Sequence, residues 1–397
     1  MRLLLMASAV ALSLATAHLA MTRALAVADP ELAWSLGPVA TAGQAAVTAR
    51  VAAQDADLDA ARRIAEDVAD SAPVLGRTWS LLAELDRLSG DPEGAAGLVD
   101  AALELKPTEM LASLRRMERS VVEGRTEEGV ERLDAFLRRH PEHAPLATGV
   151  VGPVLSTPSG YGALVAMLRT EPEWAGSFLS NVADLPDGTD YLYRVVLDLE
   201  GADRATVAEA VRTLHAHDRS DLAHRLFLAR LSADERAVSG YVHDPHFAMA
   251  PDGSLFTWRL GSTAGAEASW RKASDGEGGS ISVRFANQPV REIDVSQIVA
   301  LPPGRYIFRT RYVATRLQAP KGIQWTLRCR KPSRELLALP IGTEQPDATE
   351  RTVEFVVDGT CPVATLQLGP VDRTTSFRHR YDGAIEIREA TIERADA

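Results

Sequence analysis

Apolar residues recur at helical spacing along the first 240 residues, and at every second position beyond Tyr241. The first pattern predicts amphipathic helices and the second half-buried strands. Strands are expected at 255–260, 268–272, 280–285, 295–301, 305–313, 323–329, 335–339, 352–357, 364–368 and 384–392. Clusters of Gly, Pro and Asp separate them, as in Asp275-Gly276-Glu277-Gly278-Gly279. Many short strands at such spacing argue for a β-sandwich. The expected fold is multidomain: an all-α solenoid over 29–240, then an all-β jelly-roll sandwich over 241–397.

Within the helical part a 34-residue interval repeats. It separates Pro73, Pro107 and Pro141, then Gly90 and Gly124, then Ala61, Ala95 and Gly129. In the middle copy, Trp79, Leu82 and Ala83 belong to a first helix and Gly90 to the turn. Ala95, Val99 and Ala102 line a second helix. Pro107 closes the unit, because it lacks an N–H and clashes with the preceding turn. Small residues let paired helices approach, and Trp79, Leu82 and Val99 fill the space between units. The outer copies depart from this pattern. The third has Ser113, Arg116 and Met117 on its first helix, and the first has Ala45 and Ala49 where a bulky pair is expected. Residues 41–141 resemble tetratricopeptide repeats, most closely over 75–107. The resemblance implies a solenoid whose concave face holds a protein partner. Further helices are expected at 159–168, from Pro172 onward in a favoured first-turn position, and at 190–199, 206–215 and 220–231.

The N-terminus bears on compartment. Residues 3–22 are mainly apolar and uncharged, between Arg2 and Arg23. About 20 such residues span a bilayer as a helix. Ala15-Thr16-Ala17 and Ala24-Leu25-Ala26 also fit signal-peptide cleavage sites. Whether 1–28 is an anchor or a cleaved signal, the rest is exported. The expectation is a periplasmic protein held in the inner membrane by 3–22, or a soluble one after cleavage. Arg2 against Arg23 specifies orientation only weakly. In an exported chain, Cys329 and Cys361, each beside a strand-like run, point to a disulfide. Two separate buried thiols are the alternative. The bond would close a loop of about 30 residues and contribute roughly 3–4 kcal/mol in the chain-entropy account.

Composition narrows the chemistry. The 397 residues are 46% hydrophobic and 24% charged, as in a folded protein. The net charge of −11 disfavours nucleic-acid binding, and its acidic excess lies in the first 240 residues. There is no Gly-x-Ser-x-Gly elbow, phosphate loop or Gly-x-Gly-x-x-Gly fingerprint before a helix. Asp55, Asp57, Asp59 and Glu66 have calcium-loop spacing, but Ala60 stands where Gly is needed. The repeat register also puts Ala61 inside a helix, so a solvated helix face is the better reading. His140, Glu142 and His143 have the wrong spacing for zinc. His243 and His246 flank Asp244-Pro245, where a linker turn is the simpler reading. No metal and no cofactor are expected. Glu354, Asp372 and Glu386 are the carboxylates considered for glycoside cleavage, and the expectation is a protein that is not an enzyme.

The aromatic site candidates in the sandwich are Trp258, Trp270, Tyr306, Tyr312, Trp325 and Tyr381. Sugars stack on exposed rings, whereas sandwich aromatics usually fill the core. Trp325 alternates with Leu327 and Cys329 on one strand face, a core pattern. Trp258 and Trp270 are the stacking candidates, and Arg309 and Arg311 are expected to point outward as their hydrogen-bonding complement. The run from Val295 to Tyr306, with its Pro302-Pro303-Gly304 turn, resembles the jelly-roll carbohydrate-binding modules. So do Gly383-Ala384-Ile385-Glu386-Ile387 and Ala390-Thr391-Ile392. No acidic metal cluster accompanies them, and Asp382 alone is too little for calcium.

The layout as a whole resembles membrane-anchored repeat proteins of bacterial exopolysaccharide clusters. The likeness rests on the stretch from Asp244-Pro245-His246-Phe247 to Phe256-Thr257-Trp258-Arg259-Leu260, and on Cys329 and Cys361. It implies a non-enzymatic envelope scaffold in polysaccharide assembly or export, with glycan or another subunit against the sandwich. A general periplasmic adaptor without glycan contact and a polysaccharide-modifying enzyme are the alternatives. A groove of exposed aromatics would favour glycan, and a buried carboxylate pair in a cleft would favour the enzyme.

Overall fold

The computed structural model describes residues 16–17, 19–37, 39–53, 57–272, 278–342, 348–372, 376 and 378–395. Residues 3–15 and 18 of the expected anchor, Asp55, and 275–277 of the glycine-rich separator lie outside these. Among the described residues no helix is long and apolar enough to cross a membrane. The chain divides into two compact units, one ending at Asn181 and the other beginning at Val182.

The first unit is helical. Its elements are α1 (helical over 19–28), α2 (Pro30–Leu36), α3 (Ala40–Ala52), α4 (Leu58–Ser71), α5 (Gly76–Leu88), α6 (Pro92–Leu105), α7 (Met110–Val122), α8 (Thr126–Arg139), α9 (Ala144–Ser156) and α10 (Pro158–Leu168). Helix α11 (Ala175–Val182) runs to the division.

The 34-residue interval recurs as geometry. Gly90 and Gly124 sit at φ +86° and +81° after α5 and α7. Each lets the next residue bond back to the helix, Asp91 N to Asp86 O at 2.9 Å and Arg125 N to Ser120 O at 2.8 Å. This left-handed stop is open to glycine at no steric cost. Ala61 and Ala95 are buried where second helices pack. At the equivalent Gly129 a Cβ would lie 2.5 Å from Val121 Cγ2, so the larger Val121 requires the smaller residue. Buried Glu84 accepts from Arg87 and, across the next hairpin, from Arg115. Burial alone would push its carboxyl up, but the two guanidinium groups outweigh burial and hold it below the usual range.

One helical expectation is corrected and one is met. Glu171 takes φ +52°, so the chain turns there and α11 begins at Ala175, not Pro172. Asp57 caps α4 by accepting from Ala60 N, so the region of the calcium-like spacing from Asp57 to Glu66 is a helix start.

The second unit contains α12 (Gly188–Asp198), α13 (Arg204–Ala216), α14 (Ser220–Ala229) and α15 (Ala233–Ala237), then, among the described residues, eleven strands. The expected helix over 220–231 thus ends early, and a capping box of Ser232 and Glu235 starts the short α15. The strands are β1 (Arg259–Leu260), β2 (Ser262–Thr263), β3 (Ala266–Lys272), β4 (Gly279–Gln288), β5 (Val295–Ala300), β6 (Gly304–Gln318), β7 (Ile323–Cys329), β8 (Arg334–Ile341), β9 (Thr349–Val357), β10 (Val363–Pro370) and β11 (Tyr381–Arg394). They form a five-stranded sheet in the order β1-β5-β10-β7-β8 and a six-stranded sheet in the order β2-β3-β4-β11-β6-β9. The paired strands are antiparallel. The core between the sheets holds Ile281, Phe308, Tyr312, Trp325, Leu366 and Ile387. Helix followed by antiparallel sandwich is the fold class read from the hydrophobic pattern. The strand expected over 255–260 shrinks to two residues, because Asp252 accepts from Ser254 N and Thr257 Oγ1 and holds a turn there.

Helices α13 and α14 belong with the sandwich. The Phe227 ring meets His243 at 5.2 Å and Phe256 at 5.4 Å. His215 contacts Arg330 at 2.6 Å, and Lys331 pairs with Asp218 at 2.7 Å. Gln297 on β5 donates to His243 O and accepts from His243 N, fixing the segment that leads from helix to strand. Cys329, at the end of β7, is bonded to Cys361 before β10, with Cα atoms 5.7 Å apart.

Candidate functional site

Strand alternation sorts the candidate residues onto different faces. On β6, Tyr306, Phe308, Thr310 and Tyr312 point into the core and are fully buried. Arg309 and Arg311 take the opposite parity and lie on the outer face of the six-stranded sheet. Register then builds rows across β11, β6 and β9: Glu389–Arg311–Glu350, Thr391–Arg309–Thr352 and Glu393–Ile307–Glu354. Arg311 pairs with Glu389 at 3.1 Å and with Glu350 at 3.8 Å, and Arg309 reaches Glu350 at 3.6 Å. Glu350 is therefore shared by two guanidinium groups. Glu389 is largely covered, whereas Arg311 stands 49% exposed. In these rows donors, carboxylates and hydroxyls are interleaved without an aromatic ring.

The tryptophans do not join this face. Trp258 is 3% exposed, donates its indole N–H to Asp244 O at 3.0 Å, and packs against Phe247 and Trp325. Trp270 is half-buried against the core and donates to Phe247 O at 2.7 Å. Both turn toward the space between the sheets, where large apolar area gains most from burial. Glu354, Asp372 and Glu386 are dispersed, pairing with Arg305, Lys321 and Arg388 respectively.

A charged cluster escaped the sequence reading. A small cavity of about 130 Å³ is lined by Arg204, Glu235, His243, Asp244, Asp252 and Trp258, among others. Arg204, at the start of α13, pairs with Glu235 of α15 and with Asp252 at 3.1 Å. Asp244 accepts from Ala248 N and Met249 N. Each carboxylate thus already closes a loop or a cap. The Ser232-x-x-Glu235 spacing was the available signal, since it marks a capping box whose Glu is held in place. Among the described residues no group of three or more His, Cys, Asp or Glu is placed to hold a metal ion.

The cluster sets an acid response. Burial pushes His243 down against the opposing pull of Asp244, Glu235 and Asp252, and burial also pushes His224 down. Burial would raise Glu235 and Asp252, but their hydrogen bonds and Arg204 outweigh it and hold both low. The unfolded chain therefore binds protons before the folded one in both ranges, and stability falls with pH. The histidine contribution is full above the ordinary value near pH 6.5 and is lost as pH falls through the lowered folded values. The carboxylate contribution starts to disappear near pH 4. Urea midpoints measured from pH 8 to 3 are expected to fall in two steps. Arg204→Ala should cost about 1 kcal/mol at pH 7 and should shrink the step below pH 4. An unchanged lower step would exclude Arg204 as its source.

No protein-family profile matches the chain, and no curated protein sequence matches it. Among solved structures, the sandwich resembles carbohydrate-binding modules. The CBM4 module described under "CBM4 structure and function" gives a TM-score of 0.29 at 14% identity, over 38% of this chain and 99% of that one. TmCBM61, solved in complex with β-1,4-galactotriose, gives 0.27 at 17% identity, over 39% and 99%. The enzymatically active domain of tailspike protein 4 of bacteriophage CBA120 gives 0.26 at 10% identity, over 36% and 19%.

Proposed function

We propose that this chain is a non-catalytic binding protein of the cell envelope, acting in exopolysaccharide assembly or export. Its outer sheet face contacts glycan by hydrogen bonding rather than by ring stacking. The observation that carries this reading is the set of rows around Arg309 and Arg311. The guanidinium donors, the Glu350 acceptor and the Thr352 hydroxyl stand at the surface of β6 and β9, with Glu389 and Thr391 of β11 covered beside them. A polyhydroxylated chain needs donors and acceptors together on an open surface. The Cys329–Cys361 bond supports export, because disulfides persist in oxidising compartments. The carboxylates of the small cavity are occupied in caps and turns, which supports a binding role over catalysis.

Affinity electrophoresis of the full chain through gels containing the host's extracellular polysaccharide tests this. Retardation is expected. The double variant Arg309→Ala/Arg311→Ala should bind about tenfold more weakly, the loss of two modest charged hydrogen bonds. Undiminished retardation by that variant would sink the site, and no retardation of the folded wild type would sink the glycan reading.

The adaptor reading draws on a different observation. In the helical unit a groove of about 480 Å³ between α6, α7 and α8 is lined by Arg116, Arg132, Arg139 and His140, with Asp100 and Glu104 opposite. A protein partner with an acidic segment would suit it, and Arg116→Glu should then abolish crosslinking to that partner.

A further inference from the structure

The second unit carries a much larger and chemically different concavity, distinct from the arginine-bearing sheet face. It measures about 1030 Å³, at the upper end of the range of ligand sites. Helix α14, the segment after it and the ends of three strands form its walls. These are mostly carbon: Leu228, Leu231, Tyr241, Leu301, Pro302 and Val363. Leu228 is 37% exposed, although leucines elsewhere on α14 are buried.

The charges around this cleft are not balanced. Asp221 is engaged by Arg219 at 3.3 Å and Arg225 at 3.2 Å, and Asp358 by Arg334 at 2.8 Å. Arg236 donates to Leu231 O at 2.9 Å, and Arg394 reaches Pro303 O at 3.4 Å. Among the described residues neither arginine has a carboxylate partner. Glu393 is the one acid of the lining without an ion pair among the described residues. Two guanidinium groups thus stand against one carboxylate at the edge of an apolar trough. Guanidinium binds carboxylate in a two-point geometry that a cation cannot replace.

We propose that this cleft binds a free long-chain carboxylate, with the acyl chain along Leu228, Leu231 and Val363 and the head group at Arg236 and Arg394. The apolar walls set affinity through buried area, and the arginines set the sign of the head group.

Calorimetric titration of the full chain with dodecanoate, dodecanol and dodecyltrimethylammonium, each below its micelle concentration, separates the two contributions. Dodecanoate should bind at least about tenfold more tightly than the ammonium compound, with dodecanol between them. Arg236→Ala/Arg394→Ala should remove that preference while leaving dodecanol binding in place. Leu228→Glu, at a partly exposed position of α14, should weaken dodecanoate and dodecanol together by tenfold or more while circular dichroism shows the fold retained. Equal binding of the two charged amphiphiles, or unchanged binding by either variant, overturns the proposal. So does binding only to phosphatidylglycerol vesicles, which would make the occupant a membrane surface. Self-association that Leu228→Glu abolishes and dodecanoate does not compete with would make it a second copy, and overturns the proposal equally.

Discussion

Replacing Cys329 and Cys361 by serine is expected to lower the stability of the second unit by about 3–4 kcal/mol. The bond joins residues 32 apart in sequence. The segment between them contains all of β8 and β9, so in the unfolded chain the link restricts a long excursion and removes entropy that folding would otherwise have to overcome. Both sulfur positions are buried, at 2% and 1% exposure, so a serine hydroxyl there also forfeits contact with water. Guanidinium unfolding of wild type, reduced wild type and the double variant measures the effect. The reduced protein and the variant should show similarly lowered midpoints. An unfolding free energy within a few tenths of a kcal/mol of the oxidised wild type would mean that strand pairing alone already confines that loop before unfolding is complete.

Trp258→Ala is expected to cost about 3–5 kcal/mol, the range for emptying a large aromatic site in a packed core. The ring sits between Phe247 and Trp325, and its N–H satisfies the buried carbonyl of Asp244. Its loss leaves a cavity and an orphaned acceptor. Any fall in glycan retention by this variant should therefore track the unfolded fraction, measured by circular dichroism on the same sample. Trp258→Phe should recover most of the stability, because it refills much of the volume. Full stability with lost retention in Trp258→Ala would instead make the ring a contact residue and would contradict its buried position.

The parts of this molecule that local chemistry dictates were legible in its sequence. Ile323–Cys329 alternates so cleanly that its limits as a strand could be read directly, and the glycine stops at Gly90 and Gly124 follow from backbone sterics. Outward parity for Arg309 and Arg311 followed from alternation alone. What stayed hidden depends on partners distant in sequence. β6 runs on to Gln318 because β11 pairs along it, which no window around residue 313 contains. Trp258 and Arg309 looked like parts of one surface because both residue types suit sugars. Trp258 instead lies just before β1 and packs inward against Trp325, a partner that no window around it contains. The cluster around Arg204 and the cleft beside α14 were invisible for the same reason. Their residues come from helix, loop and strand ends that only the folded unit brings together.

The docking of α13 and α14 bears on how this chain can be cut and still survive. A protease or a recombination event acting near residue 240 would strip Phe227 from His243 and Phe256 and leave Arg330 and Lys331 without His215 and Asp218. The liberated sandwich would carry a raw apolar scar. A break between Asn181 and Val182 would sever neither set of contacts and would take only the last residue from α11. The heritable piece, the one that gene shuffling can move intact into another protein, is the sandwich together with its four preceding helices.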